Sequence, residues 1–396
     1  MTDVRERKEL ARLLLASGME EADLQLAADT GVVADDAELM VDLGIPFPQE
    51  VAPVPEPPDT PPDPEGPLPA ADVIVVTWTI AELNALADVF TPGHPRTRWF
   101  PYKHNFGSKF LPVIRDGAPS RNPRVMRLGS WFPARVGSLK VICFKSELHL
   151  NQDGIRSEEK PGTATLPVKD LFAQMIEEAK PQVVLTVGTS GGVKLEHDLG
   201  DVVVTRGAKF RLSDEFENEP FNGKVYKSDW KIPTQYFEKA HELMAGFAEN
   251  LVEPDFGPPT KRYGFDGPLL KSEPPNTPSI LLDDGTEMPE FHPILTTDFF
   301  EFGTSANDLY TEGCAVEMGD AVLGLLCDEL PDPPRWAIVR NLSDPMINGD
   351  LPTSKVKALD MQAHWAVWYY EAFGYWTSTM GALATWAIIA GLQDGS

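Results

Sequence analysis

Short apolar runs recur along the chain from residue 71 onward, and turn-forming residues bound each of them. Runs of this length without alternation are typical of strands that are buried on both faces of a sheet. Apolar residues at helical spacing occur at 81–90 and 171–179. We therefore predict strands at 71–77, 141–144, 183–187, 202–205, 294–296 and 336–339. Strands that alternate with helices predict an α/β fold, in which a mixed, largely parallel central sheet is flanked by helices.

Other segments differ from the pattern of this main domain, which we place at 71–396. Residues 1–44 carry short helical patterns and are too few to bury a core alone, which indicates a small helical module that docks on the domain or binds a partner. Eleven prolines within 45–70 predict a semi-rigid acidic linker. Residues 213–292 are acidic and rich in Pro and Gly, with one helical stretch near 237–251, so we interpret them as an insertion or a lid.

The apolar run at 376–392 is about as long as a membrane span. It nevertheless contains Gly381 and several hydroxyl side chains and lacks a basic flank, so we predict a buried final helix and no membrane segment. The charged first residues do not resemble a signal peptide. Three cysteines, an odd number, in apolar surroundings indicate buried free thiols in a reducing compartment. Together these features predict a cytoplasmic protein.

Four short motifs follow one another along the main domain. A Gly-rich turn ends one predicted strand at 187–192 (VGTSGG), and a second motif at 199–204 (LGDVVV) leads into the next strand. The other two place an acid at or near the end of an apolar run, Glu317 in CAVEM and Asp344 in NLSD. With these motifs in this order, the chain resembles the nucleoside phosphorylase/nucleosidase superfamily, including purine nucleoside phosphorylases and methylthioadenosine–S-adenosylhomocysteine nucleosidases. The resemblance implies cleavage of an N-glycosidic bond.

The resemblance also implies roles for the two acids. Glu317 accepts hydrogen bonds from the ribose hydroxyls, with Met318 packed under the sugar, and Asp344, preceded by Ser343, protonates the leaving purine. A proton donor at neutral pH needs a raised pKa, which desolvation supplies. In the family, an Asp at this position serves adenine and other 6-amino purines, so adenine is favoured. The alternatives are an exposed glutamate at a helix start and an aspartate that caps a turn.

Glu82 lies in the first strand-to-helix turn, at 77–82 (TWTIAE). The resemblance implies that a Glu here orients and deprotonates the attacking water, whereas phosphorylases of the family have a Gly-rich turn with an Arg. Trp78 and Thr79 depart from the small residues of typical methylthioadenosine nucleosidases. The alternative is a solvent-facing acid at the start of a helix.

Further substrate contacts are implied by the same resemblance. Phe300 matches the position whose ring stacks on the base, Phe299 is the other candidate, and core packing is the alternative for either ring. The remaining contacts implied are Thr189, Ser190 and Gly191 of the Gly-rich turn, and Ser146 after the strand at 141–144.

The formal net charge of −26 argues against a nucleic-acid-binding surface. Residues 96–145 are an exception, with eleven Lys or Arg and a single acidic residue, Asp116. This basic window either binds the 5′-phosphate of a nucleotide or forms a subunit interface against an acidic surface. The candidate phosphate ligands are Arg96, Arg98, Lys103, Lys109 and Lys145.

Three functions follow from these observations. The first is hydrolysis of the N-glycosidic bond of an adenine nucleoside or nucleotide, such as AMP or ATP. The second is a phosphate-dependent purine nucleoside phosphorylase of salvage or biosynthesis. The third is a regulated effector, in which residues 1–44, similar to adaptor domains of bacterial conflict-system effectors, bind a protein partner or respond to a second messenger. We expect a homo-oligomer, as is usual in the family, and neither cofactor nor metal, since the seven histidines are scattered and no CxxC occurs.

Overall fold

The computed structural model describes residues 43–123, 125–155, 161–251, 278–282, 292–355 and 360–393. The helical module expected at 1–44 falls almost wholly outside these residues, as does much of the insertion expected at 213–292. The described residues therefore cover most of the predicted main domain and the proline-rich segment before it.

The centre of the domain is one mixed sheet, to which the described residues contribute thirteen strands. In chain order they are β1 (Pro53–Pro55), β2 (Val73–Thr77), β3 (Phe100–Tyr102), β4 (Gly129–Val136), β5 (Leu139–Ser146), β6 (Val183–Gly192), β7 (Val202–Thr205), β8 (Gly207–Phe210), β9 (Val225–Lys227), β10 (Ile280–Leu282), β11 (Ile294–Thr296), β12 (Ala315–Glu317) and β13 (Arg335–Asp344). The six strands predicted from apolar runs are present as β2, β5, β6, β7, β11 and β13.

Parallel pairing dominates the middle of this sheet. β2 lies between β5 and β6, β6 also pairs in parallel with β13, and β11 pairs in parallel with both β12 and β8. The flanking pairs are antiparallel, with β4 against β5, β1 against β4 and β9 against β8. The last residues of β6 pair antiparallel with β12. The predicted α/β class, with a mixed and largely parallel central sheet, is confirmed.

Helices cover both faces of the sheet. In chain order they are α1 (Ile80–Phe90), α2 (Leu150–Asp153), α3 (Pro167–Ala179), α4 (Glu238–Ala245), α5 (Ala321–Glu329) and α6 (Met361–Gly391). Helices α1, α4 and α6 share one core with Val73 and Val75 of β2, and α3 and α5 share the other with Ile74 and Val76. Both faces of β2 are therefore buried, which explains why its sequence is apolar without alternation.

α6 is the buried final helix that the sequence predicts, although it begins earlier, at Met361. Asp360 caps its first turn by accepting a hydrogen bond from the N–H of Ala363 at 2.9 Å. Thr379 and Thr385 donate their hydroxyls to carbonyls of the preceding helical turn, which allows them to lie in an apolar core. Within the ranges that the structure describes, no helix combines the length and apolarity needed to cross a bilayer.

The proline-rich segment at 45–70 packs along the domain, whereas its composition indicated a linker. Pro53–Pro55 forms an outer strand of the sheet, where prolines are tolerated because one side needs no ladder hydrogen bonds. Phe47 packs on the ring of Trp386 with centroids 4.7 Å apart, and the indole N–H of Trp386 donates to the carbonyl of Val51 at 2.7 Å. The segment is therefore part of the folded unit.

The described part of the insertion at 213–292 also rejoins the domain. It supplies β9 and β10, which pair with β8 and β7, and the helical stretch predicted near 237–251 begins as α4. The insertion thus extends the same sheet and the same helical layer.

If the proline-rich segment contributes to the core, Leu68→Ala should lower the free energy of unfolding by about 2–5 kcal/mol, because it removes a buried side chain. Leu68 is 3% exposed, and its N–H donates to a carboxylate oxygen of Glu178 at 2.7 Å. Val54→Ala is the matched control, since Val54 lies in the same segment with 40% exposure. It should change stability by no more than about 0.5 kcal/mol. Urea unfolding followed by circular dichroism measures both, and equally small changes would contradict the docking.

Candidate active site

The candidate acids converge on one edge of the sheet. β2, β6 and β13 run parallel, so their carboxyl ends meet at this edge, where sites gather in open α/β sheets. β12 pairs antiparallel with the last residues of β6 and brings Glu317 to the same place. Glu82 is in the first turn of α1, directly after β2, and Asp344 is aligned with Gly191 of β6. All three acids therefore lie around the end of β6.

A buried arginine, Arg340, connects two of these acids. Its guanidinium forms a bidentate ion pair with Asp320, with Nε 2.7 Å from Oδ2 and Nη2 2.6 Å from Oδ1. Nη2 also lies 3.3 Å from Oε2 of Glu317, and Nη1 lies 4.0 Å from Oε1 of Glu82. These four side chains form what we call the Arg340 cluster: Arg340, Asp320, Glu317 and Glu82.

Sequence reasoning missed Arg340 and Asp320, although both carried a signal. Arg340 is a lone charge directly after the apolar run 336–339, and Asp320 follows the motif that contains Glu317. Because buried charges must be paired, a lone arginine in an apolar strand indicates a carboxylate partner elsewhere in the fold.

Glu82 is held as an anion. Its Oε2 accepts hydrogen bonds from the backbone N–H groups of Trp78 and Thr79 at 2.9 and 2.8 Å, as in a capping box, and its Oε1 accepts from the N–H and hydroxyl of Thr189 at 2.7 and 2.8 Å. Burial alone would raise the pKa of Glu82, but Arg340 and these backbone N–H groups together lower it. Glu82 is therefore an ionised, buried group and not a solvent-facing acid.

Glu317 is buried just before α5. Its Oε2 accepts from the N–H of Gly319 at 2.5 Å, and its Oε1 accepts from the N–H of Asp320 at 3.0 Å and from the hydroxyl of Thr296. Burial, followed by the neighbouring Asp320 carboxylate, raises the pKa of Glu317 to about 8 despite the opposing effect of Arg340. Glu317 therefore changes its charge close to neutral pH.

Asp344 ends β13 after an irregularity in its pairing with β6. Burial raises the pKa of Asp344 to about 7, although the Ser343 hydroxyl, which donates to Oδ1 at 3.0 Å, acts in the opposite direction. The other oxygen, Oδ2, lies against Gly191, where an added Cβ would approach it to 2.9 Å. Glycine at this position therefore leaves space for a carboxyl group that keeps its proton near neutral pH.

Gly188, three residues earlier in β6, likewise leaves space for charged side chains. A Cβ added at Gly188 would lie 2.6 Å from Oε1 of Glu82 and would overlap the guanidinium of Arg340. At about 3.3 Å per residue along a strand, Gly188 and Gly191 are roughly 10 Å apart. Glu82 and Asp344 therefore contact β6 at positions three residues apart.

Two predicted aromatic contacts lie on the loop after β11. Phe299 and Phe300 are half-buried, and the ring of Phe300 packs against that of Phe302 with centroids 5.6 Å apart. The backbone of Phe302 approaches Gly191, since an added Cβ there would lie 3.5 Å from its Cα. This loop therefore reaches the Asp344 end of the site.

The predicted small polar contacts have partners within the protein. The hydroxyl of Ser190 donates to the carbonyl of Asn341 at 3.3 Å, and the hydroxyl of Ser146 forms two hydrogen bonds with the backbone of Leu148. Met318 is half-buried next to Glu317. Ser190 and Met318 are thus at the site, whereas Ser146 stabilises the turn after β5.

The candidate phosphate ligands do not share one location; they are Arg96, Arg98, Lys103, Lys109 and Lys145. Arg96 and Arg98 form a turn beyond the end of α1, and this helix of 11 residues, about 16 Å long, separates them from Glu82. Lys145 is buried in an ion pair with Glu147. Lys109 is exposed, and its ammonium lies over the ring of Phe110. Across the described ranges, no group of His, Cys, Asp or Glu is arranged to hold a metal ion.

The raised pKa of Asp344 predicts a pH dependence of stability. Its ordinary pKa is 3.8 and its folded pKa is about 7, so between these values the folded state binds more protons than the unfolded chain. The free energy of unfolding should therefore fall as pH rises through this window, by up to about 1.4 kcal/mol per pH unit. Asp344→Asn should remove this contribution and become relatively more stable above pH 7.

Asp88→Asn is the control, because burial raises the pKa of Asp88 only to about 6. Its difference from wild type should stop changing near pH 6, one unit earlier than that of Asp344→Asn. Urea unfolding from pH 4 to 9 measures both differences. A difference between wild type and Asp344→Asn that does not vary with pH would show that Asp344 is not a protonated, buried acid.

Comparison with known proteins gives fold neighbours only. No known family model and no curated protein matches the chain. Similar solved structures include the methylthioadenosine/S-adenosylhomocysteine nucleosidases of Neisseria meningitidis (15% identity, 81% of this chain and 98% of that chain covered, TM-score 0.42) and Campylobacter jejuni (14%, 81% and 100%, 0.40). The futalosine hydrolase of Helicobacter pylori is another (12%, 81% and 97%, 0.41). Two of these three proteins are named nucleosidases, and the third is named a hydrolase.

Proposed function

We propose that the chain hydrolyses the N-glycosidic bond of a purine nucleoside or nucleotide and releases the base. The observation that carries this proposal is the contrast between two carboxyl groups at the end of β6. Asp344 keeps its proton near neutral pH, whereas Glu82 is ionised beside Arg340. Glycosidic cleavage uses such a pair, with one carboxyl group as acid and the other as base for a water molecule.

Asp344 acts as the general acid. A carboxyl group that is neutral near pH 7 can protonate a purine nitrogen as the bond to the sugar breaks, which makes the base a better leaving group. Ser343 holds Oδ1, and Oδ2 lies on the Gly191 side, close to the loop that carries Phe300 and Phe302. An aspartate at this position, by the family resemblance, favours adenine or another 6-amino purine as the base.

Water is the nucleophile that suits the Arg340 cluster. Arg340 is its only cation, and Asp320 and Glu82 are its anions, so the cluster remains net negative even when Glu317 is protonated. A phosphate anion that entered this environment would be repelled, whereas a neutral water molecule would not. The charge balance therefore supports hydrolysis over phosphorolysis.

Glu82 serves mainly to orient this water. It already accepts five hydrogen bonds, including one from the hydroxyl of Thr77 at 2.8 Å, and its lowered pKa makes it a weak base. A weak base is sufficient where the transition state is oxocarbenium-like, because the positive charge on the sugar attracts the water. By the family resemblance, Glu317 binds the ribose hydroxyls, and a carboxyl group can do so in either protonation state.

We further propose that the substrate carries a 5′-phosphate, as AMP and ATP do. Of the candidate ligands, Lys103 supports this proposal through its backbone position, because it directly follows Tyr102, which is aligned through Gly129 of β4 with Ser146 at the end of β5. A phosphate needs such cationic donors, whereas a neutral nucleoside does not. We also propose that the protein assembles as a homo-oligomer. It would further act as a defence-type effector, in which residues 1–44 bind a partner.

Release of base from adenosine, methylthioadenosine, AMP and ATP, with and without added phosphate, tests this function directly. We expect phosphate-independent release of adenine, with kcat/KM falling above about pH 7 as Asp344 loses its proton. Asp344→Asn should lower kcat by about 10²- to 10⁴-fold with little change in KM.

Asp88→Asn is again the matched control, since it removes a carboxyl group of raised pKa, bonded to Tyr375, away from the strand ends. It should leave kcat unchanged. Base release only when phosphate is present would make the chain a phosphorylase and overturn the role of Glu82. No release from any of the four compounds would refute the proposed substrate class.

A further inference from the structure

The Arg340 cluster is almost completely shielded from solvent. Glu82, Glu317 and Arg340 are 4%, 6% and 4% exposed, and Asp320 is fully buried. A charged cluster that is excluded from solvent keeps its geometry only if its neighbours hold it in position, since a gap beside it would admit water and lengthen the ion pairs. The residue that lies over the guanidinium is therefore important for the whole cluster.

That residue is Trp78. The guanidinium carbon of Arg340 lies over the ring of Trp78, 5.1 Å from the ring centroid. Arginine stacks well on aromatic rings because its guanidinium is planar and weakly hydrated. Trp78 thus contacts the guanidinium of Arg340 through its ring, while Asp320 pairs with two of its N–H groups.

The position of Trp78 is itself strongly determined. Its indole N–H donates to the carbonyl of Leu148 at 3.1 Å, and its ring meets the edge of Phe172 with centroids 6.3 Å apart. Gly319, near Glu317, lies next to the indole, since a Cβ added there would be in ordinary contact with the ring at 3.5 Å. The indole is therefore held by Leu148 and Phe172 and lies next to the residues that carry Glu317.

We propose that Trp78 is a positioning residue of this site, which holds Arg340 in register with Glu82 and Glu317 and excludes bulk water from them. The proposal rests on the hydrolytic function proposed above. Trp78 acts through Arg340, so that its loss affects the rate of the chemical step more than substrate binding. An aromatic ring of any kind preserves part of the effect, whereas an aliphatic side chain does not.

Trp78→Leu and Trp78→Phe test this role. Trp78→Leu should lower kcat by about 10- to 100-fold, as expected for a small misplacement of catalytic groups. KM should change by less than about threefold, because binding is not primarily affected. Trp78→Phe, which keeps a ring over Arg340 and loses the hydrogen bond to Leu148, should recover most of kcat.

Trp99→Leu is the matched control. Trp99 is also buried and also donates its indole N–H, here to the hydroxyl of Thr91, but it lies beyond the opposite end of α1. Its kcat should equal that of wild type even if its stability falls. Equal kcat for Trp78→Leu and wild type, or an equal loss in Trp78→Phe and Trp78→Leu, would overturn the proposal.

A second measurement separates this proposal from the proposed function. Glu317 faces Asp320 and Arg340, with Glu82 on the other side of the guanidinium, and burial raises the pKa of Glu317 to about 8. The free energy of unfolding of wild type should therefore keep falling up to about pH 8. Trp78→Leu should admit water to the cluster, which would lower the pKa of Glu317 and end this fall at a lower pH. In Trp78→Phe and Trp99→Leu, the free energy of unfolding should keep falling up to the same pH as in wild type.

The activity measurement and the unfolding measurement can fail independently of each other. If wild type releases no base from any substrate, the proposed function is refuted, and the pH dependence of unfolding still decides whether Trp78 shields the cluster. If wild type is active but Trp78→Leu and Trp99→Leu share the pH window of wild type, only the role of Trp78 is refuted.

Discussion

The ion pair between Arg340 and Asp320 is the contact on which the geometry of the site depends. It joins β13 to the N-terminal end of α5, and the same guanidinium lies 3.3 Å from Glu317, 4.0 Å from Glu82 and 3.1 Å from the carbonyl of Thr189. Removing a guanidinium from water is unfavourable unless nearly all of its donors are matched. The ends of β6, β12 and β13 and the start of α1 are therefore held in one arrangement by the pairing requirements of one cation.

The same cation explains why chemically similar groups around β6 differ in charge. Glu82 faces Arg340 and several backbone N–H groups, so it stays ionised although it is buried. Asp344 is equally buried but has only the Ser343 hydroxyl as a hydrogen-bond donor among its described neighbours, and burial therefore raises its pKa. Burial and the neighbouring Asp320 carboxylate also raise the pKa of Glu317, to about 8, although Arg340 acts against them. Distinct environments, and not residue type, thus separate an acid from an anion within one site.

Sequence patterns predicted the parts of the fold that are determined locally. β2 and β6 are buried on both faces, so their apolar runs identify them. β4 was missed because Pro133 and Arg135 interrupt its pattern, and proline is uncommon inside strands. The docking of the proline-rich segment was also missed, since it depends on contact between Phe47 and Trp386, which are far apart in the chain. The composition of a segment indicates how stiff it is, but not which residues far away in the chain it contacts.

The same distinction applies to the site. The motifs indicated Glu82, Glu317 and Asp344, and the structure brings all three to one strand end, but Arg340 depends on register, which aligns it with Gly188 of β6. A Gly-rich turn after a strand is commonly interpreted as a phosphate cradle. Here the glycines have another use, because Gly188 admits Arg340 and Glu82 and Gly191 admits Asp344. The predicted turn is instead the last part of strand β6, and its glycines allow the side chains of Arg340, Glu82 and Asp344 to approach that strand.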